Sequence, residues 1–155
     1  MMLPENEGKE LSYAFTPLEV IPEPQSDTAA RITHVDLTET GIKSLDNLGR
    51  FSTIETLIVD KNALQDIKSC PILPTLETLW CNNNNITDLS TFMDDVNQRF
   101  PNLKYLSMMR NPACPALMNI INPDVEANKL FRLYVLYRMP QLQIIDCEAV
   151  TGEVA

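Results

Sequence analysis

The sequence predicts an open α/β solenoid: short parallel strands side by side, with a cap closing each end. Three observations predict it. The stretch Leu76-Glu-Thr-Leu-Trp-Cys-Asn-Asn-Asn-Asn-Ile86 follows the pattern L-x-x-L-x-L-x-x-N-x-L. The pattern recurs with its first position at Ile32, Ile54 and Leu76, a spacing of 22 residues. The segments on either side leave the pattern in ways that suit end caps.

Each slot of the pattern has a physical reason. Leu79 and Cys81 are two residues apart, so a short strand puts both side chains on its buried face. Trp80 lies between them and must point the other way. Asn84 falls where the chain turns out of the strand, and its amide can satisfy backbone groups that the coil leaves unpaired. The spacing falls within the range of about 20–29 residues that marks leucine-rich repeats.

Residues 1–10 are polar and acidic and read as a mobile tail. Leu11-Ser-Tyr-Ala-Phe15 alternates like a strand, and residues 11–31 read as an N-terminal cap that covers the first sheet edge. Within it Gln25 to Ala30 read as a loop. Four repeats follow over residues 32–115. The first has Ile32, Val35, Leu37 and Ile42, with Thr40 in the asparagine slot. The second has Ile54, Leu57, Val59, Asn62, Leu64 and Ile67. The third starts at Leu76 and is five residues longer than the others. Its extra residues, Asp88 to Phe100, place Phe92, Met93, Val96 and Phe100 at helical spacing behind a Ser/Thr/Asp cap, with Pro101 as the stop. The fourth has Leu103, Leu106, Met108 and Asn111, then breaks at Pro112 and Pro115.

Residues 116–151 read as a C-terminal cap and 152–155 as a tail. Asn122-Pro123 reads as a helix start, with a helix running to Arg138. Its apolar residues surround most of the helix, so it is expected to be largely buried, with Tyr134 and Tyr137 in the core. Pro140 to Asp146 reads as a final half-repeat through Leu142 and Ile145. Glu148 to Ala155 reads as a frayed turn or short helix.

Composition excludes several functions. The net charge of −9 disfavours direct nucleic-acid binding, which needs clustered Lys and Arg, and suits a basic protein partner. No apolar run approaches a membrane span, and the first residues resemble neither a secretory signal nor an N-myristoylation site. The 4 cysteines form no C-x-x-C pair, which points to a reduced, cytoplasmic protein. His34 is the sole histidine, and no phosphate loop, metal spacing or nucleophile elbow is present. Neither an enzyme, a cofactor nor a metal is expected.

The outward strand positions carry the functional expectation. They are His34, Asp36 and Thr38; Thr56, Ile58 and Asp60; Thr78, Trp80 and Asn82; and Tyr105, Ser107 and Met109. In a curved stack these residues line the concave sheet, the surface solenoids use for binding. Ile58, Trp80, Tyr105 and Met109 would form an apolar patch edged by His34, Asp36, Glu39, Asp60 and Lys61, an arrangement typical of a protein interface. Asn62, Asn84 and Asn111 are expected to be structural, and the rest of the run Asn82 to Asn85 to serve turns.

The run Phe131-Arg-Leu-Tyr-Val-Leu-Tyr-Arg-Met-Pro-Gln-Leu-Gln-Ile-Ile-Asp146, with Tyr13 and Ile21-Pro22, resembles the cap shared by U2 A′-type leucine-rich repeat proteins. Within that group, Tyr105-Leu-Ser-Met-Met-Arg-Asn-Pro-Ala-Cys-Pro115 is similar to the melanocyte differentiation-associated leucine-rich repeat family. The likeness covers about residues 11–151. It implies a monomeric, non-enzymatic adaptor in membrane trafficking or lysosome-related organelle biogenesis, with a Rab-type small GTPase or trafficking complex as partner. The U2 A′ likeness implies an alternative: a nuclear spliceosomal subunit that holds an RNA-recognition domain. A structural scaffold subunit is a further alternative. Phe131 departs from the tyrosine usual in this cap, which keeps the packing and loses a hydroxyl. Relatives also often continue with charged residues beyond this cap, so any role of such a tail does not carry over.

Overall fold

In the computed structural model, residues 9–114 and 125–152 are described. Seven strands form one sheet in chain order. They are β1 (Glu10–Ser12), β2 (His34–Asp36), β3 (Thr56–Ile58), β4 (Thr78–Trp80), β5 (Tyr105–Ser107), β6 (Ile144–Ile145) and β7 (Glu148–Ala149). Neighbours from β1 to β6 are parallel, and β7 returns antiparallel to β6. Three helices complete the fold: the single turn α1 (Ser26–Ala29), α2 (Leu89–Arg99) and α3 (Val125–Arg138). No helix of the described residues is long and apolar enough to cross a membrane.

The repeat register places one apolar residue per strand in line. Leu11, Val35, Leu57, Leu79, Leu106 and Ile145 pair across the sheet, and all are buried. Leu37, Val59, Cys81 and Met108 extend the buried side as the strands end. The core is therefore one continuous column, with each repeat supplying the wall that its neighbour lacks.

The asparagine slot holds this column together. The Asn84 carbonyl accepts the Asn62 and Leu64 N–H groups at 3.0 and 2.9 Å. Its amide donates to the Val59, Cys81 and Asn82 carbonyls. Asn62 does the same for Thr40, Gly41, Leu37, Val59 and Asp60, and Asn111 for Ile86, Cys81, Met108 and Met109. Thr40, in the first repeat, donates its hydroxyl to the Leu37 carbonyl and accepts the Ile42 N–H. These buried groups would otherwise be orphans, costing about 1–3 kcal/mol each.

The residue before this slot takes a left-handed conformation in every repeat: Glu39, Lys61, Asn83 and Arg110 have φ of 52°, 60°, 57° and 59°. Phe15, at 64°, holds the same place in the N-terminal cap, where its N–H donates to Thr38 as that of Glu39 donates to Asp60. The N-terminal cap is thus a degenerate repeat. Its strand is Glu10–Ser12 and not Leu11–Phe15, because the chain must leave the sheet at Phe15 as it does in each repeat. Glu10 therefore belongs to the sheet and not to the tail. The segment Gln25 to Ala30, expected as a loop, contains the turn of helix α1.

Helix α2 lies where the extra residues predicted it. The Asp88 carboxylate caps it by accepting the Thr91 N–H, and Phe92, Met93, Val96 and Phe100 are buried. The buried Asp95 pairs with Arg99 at 3.0 Å and Lys68 at 3.4 Å, tying α2 to the second repeat.

The C-terminal cap differs from expectation in two ways. Helix α3 buries Phe131, Arg132, Val135 and Leu136, but Leu130 and Tyr137 face outward, Tyr137 at 81% exposure. Tyr134 is half-buried and accepts a hydrogen bond from Arg138. Core packing is thus limited to one stripe of α3. The helix start at Asn122-Pro123 lies outside the described residues. Second, Glu148–Ala149 forms a strand, not a frayed turn or helix. The buried Arg132 guanidinium donates to the Ile145, Glu148 and Ala149 carbonyls and so locks the β6–β7 turn.

Candidate functional site

The site is the sheet face opposite the core, and register decides which side chains meet there. One cross-strand row runs Glu10, His34, Thr56, Thr78, Tyr105, Ile144. A second runs Ser12, Asp36, Ile58, Trp80, Ser107. Ile58 and Trp80 are direct neighbours, and Tyr105 lies diagonally beside Trp80. Trp80 is 42% exposed although it occupies the middle of the stack.

Trp80 and Tyr105 share a cleft of about 350 Å³ with Thr78, Leu106, Ser107, Ile144 and Cys147. Its lining is almost wholly apolar. Ile144 and Cys147 were not expected from the sequence, yet a signal for Ile144 was there. Aligning Leu142 and Ile145 with Leu103 and Leu106 puts Ile144 in the slot of Tyr105. Cys147 enters by the turn after β6, where Asp146 and Cys147 are both left-handed, and no repeat pattern marks that turn.

The expected patch is not one continuous cluster. Met109 lies farther along the strand direction and is separated from Trp80 by a buried polar link. Asn82, expected to face outward, is turned in. Its carbonyl accepts the Ser107 hydroxyl at 2.7 Å and the Met109 N–H at 2.8 Å. Ser107, also expected outward, is consequently only 3% exposed.

The acidic edge lies toward the N-terminal repeats. Asp36 accepts the Thr38 N–H and hydroxyl at 2.9 and 2.6 Å. Asp60 accepts the Asn82 N–H at 2.8 Å. Burial holds the Asp60 carboxyl above the usual carboxylate range, and the nearby charge of Asp36 adds to this. Glu39 is exposed at the left-handed turn, and His34 is exposed with its Nδ1 2.9 Å from the Thr33 hydroxyl.

No catalytic grouping is formed by these residues. His34 has no acid or nucleophile among its hydrogen-bond partners. Burial pushes the Cys70 thiol up to about 12 and raises that of Cys81 as well, so neither is a nucleophile at neutral pH. Cys147 is exposed, whereas Cys70, Cys81 and Cys114 are buried.

A leucine-rich repeat family profile matches residues 20–153. Over 111 residues the chain is 41% identical to the leucine-rich melanocyte differentiation-associated protein of Homo sapiens, covering 72% of this chain and 56% of that protein. Over 132 residues it is 32% identical to the U2 small nuclear ribonucleoprotein A′ of Schizosaccharomyces pombe, covering 76% of this chain and 54% of that protein. The chain thus spans about half the length of these curated relatives. A chain in the crystal structure of the Drosophila melanogaster SNF/U2A′ complex superposes with a TM-score of 0.70 at 23% identity, over 98% of this chain and 81% of that one, a likeness of fold. The repeat register, the asparagine column and the family match agree: this chain belongs to the leucine-rich repeat family.

Proposed function

We propose that this protein is a non-enzymatic adaptor that captures a protein partner on its concave sheet face. The observation that carries the reading is Trp80, a large aromatic side chain at an outward position where the fold gives it no partner sufficient to bury it. It lies beside Ile58, Tyr105 and Ile144, and Asp36, Glu39 and Asp60 form the polar edge. Aromatic anchors within a polar rim suit an interface hot spot.

The finer reading is a cytoplasmic, monomeric adaptor in membrane trafficking or lysosome-related organelle biogenesis, with a Rab-type small GTPase as partner. The likeness to the melanocyte differentiation-associated protein supports it. Proximity labelling with the wild-type chain and with Trp80→Ala tests both parts. The expected result is a set of neighbours lost in the variant, among them a small GTPase held only in its GTP-bound form. An unchanged set with a folded variant contradicts the face, and capture indifferent to nucleotide contradicts the GTPase.

A second reading, a nuclear subunit of the spliceosomal U2 particle, is favoured by the U2 A′ relatives. Co-purification with U2 particles would select it over the first.

A further inference from the structure

Resting on the concave-face reading, we infer that the partner presents two matched groups. A bulky apolar side chain enters the cleft between Trp80, Tyr105 and Ile144, and a lysine or arginine meets Asp36, Glu39 and Asp60 about 10 Å away.

The spacing comes from register. Asp36, Ile58 and Trp80 occupy one cross-strand row on β2, β3 and β4. Two strand spacings separate the acid from the aromatic, with Ile58 as an apolar floor between them. On a helical partner, about seven residues span that distance. The cleft of about 350 Å³ lies at the small end of ligand-sized pockets, the scale of an anchoring side chain and not of a cofactor.

The chemistry at the other end is acidic and held in place. Thr38 orients the Asp36 carboxylate, and the Asn82 N–H orients that of Asp60. Among the described residues, Asp36, Glu39 and Asp60 form no ion pair, whereas Glu23, Glu77, Asp94, Asp95 and Glu148 each do. Asp36 and Asp60 lie close enough to oppose each other's ionisation. A cation between them would relieve that repulsion, which a neutral partner group cannot do. The protein's charge of −9 adds a long-range preference of the same sign.

A displayed library of helical miniproteins, selected on the full chain, tests this. The expected binders pair an aromatic, leucine or methionine anchor with a Lys or Arg one heptad away. They slow alkylation of Cys147 at least tenfold, because that thiol lines the cleft. They weaken at least tenfold on Asp36→Asn/Asp60→Asn, and on Glu39→Gln to a smaller degree, with the loss shrinking at high salt. The Glu39→Gln variant, altered at an exposed side chain, keeps the test informative should the double variant fail to fold. Binders that protect Cys147 and need Trp80, yet carry no basic preference and ignore all three acid substitutions, overturn the two-group inference alone. Binders that leave Cys147 reactive and ignore Trp80→Ala overturn the concave-face reading beneath it.

Discussion

The asparagine column and the Trp80 row cross the same central strands, and they obey opposite rules. Along the column, Thr40, Asn62, Asn84 and Asn111 play one repeated role. Each is buried and spends its polar atoms on backbone groups of its own and the preceding repeat. Along the row, Asp36, Ile58, Trp80 and Ser107 share a register but not a chemistry. The backbone sets the demand in the first case, so the residue type recurs. In the second the fold asks only for a side chain that tolerates the strand, so variation there is open to a partner's demands.

The sharpest way to break this contrast is Asn84→Ala. It strands two buried N–H donors and removes the donor to three carbonyls. Urea unfolding should show a loss of about 3 kcal/mol or more. Thr40→Ala, at the end of the column, should cost about 1 kcal/mol. Equal costs would mean that the column is not the structural device described here.

The next comparison stays within one strand. Leu79→Ala should lose about 2–5 kcal/mol of stability, since Leu79 is fully buried between repeats. Trp80→Ala, one residue on and facing out, should lose no more than about 1 kcal/mol. A loss at Trp80 as large as at Leu79 would make the tryptophan a structural residue.

The smallest effect concerns Asp60, which belongs to both regimes. Its carboxyl is raised in the folded protein, chiefly by burial, so the folded state holds the proton more tightly than the unfolded one. The stability this contributes is present below the ordinary carboxylate value and is lost as pH rises through the folded value. Asp60→Asn keeps the acceptor for the Asn82 N–H and removes the ionisation. The variant should therefore melt higher than wild type at neutral pH, with the gain vanishing near pH 4 and below, where about half or more of an ordinary aspartate is protonated. Thermal melts across that range check it; a gain that grows on acidification would reverse the sign.

Much of the fold was legible because repeats constrain themselves: Leu57, Leu79 and Leu106 fall in one register, and α2 carries its own cap and stop. The cap details were less legible. Tyr137 looked like core because α3 is apolar on several sides, but a helix on the end of a stack buries one stripe and leaves the rest outward. Strand β7 had no periodicity of its own and depends on the buried Arg132. At the candidate site, Trp80, Ile58 and Tyr105 could be read from alternation alone. Asn82 and Ser107 could not, because alternation places a side chain on a face but does not say whether a polar neighbour will draw it in.

On this view Trp80 serves recognition while its strand neighbours serve the fold. The direct check is titration of the captured partner against wild type and Trp80→Ala, each verified by thermal unfolding. The expected outcome is a folded variant whose affinity falls by about 30-fold, or about 2 kcal/mol. A folded variant that binds with unchanged affinity would contradict this division of roles.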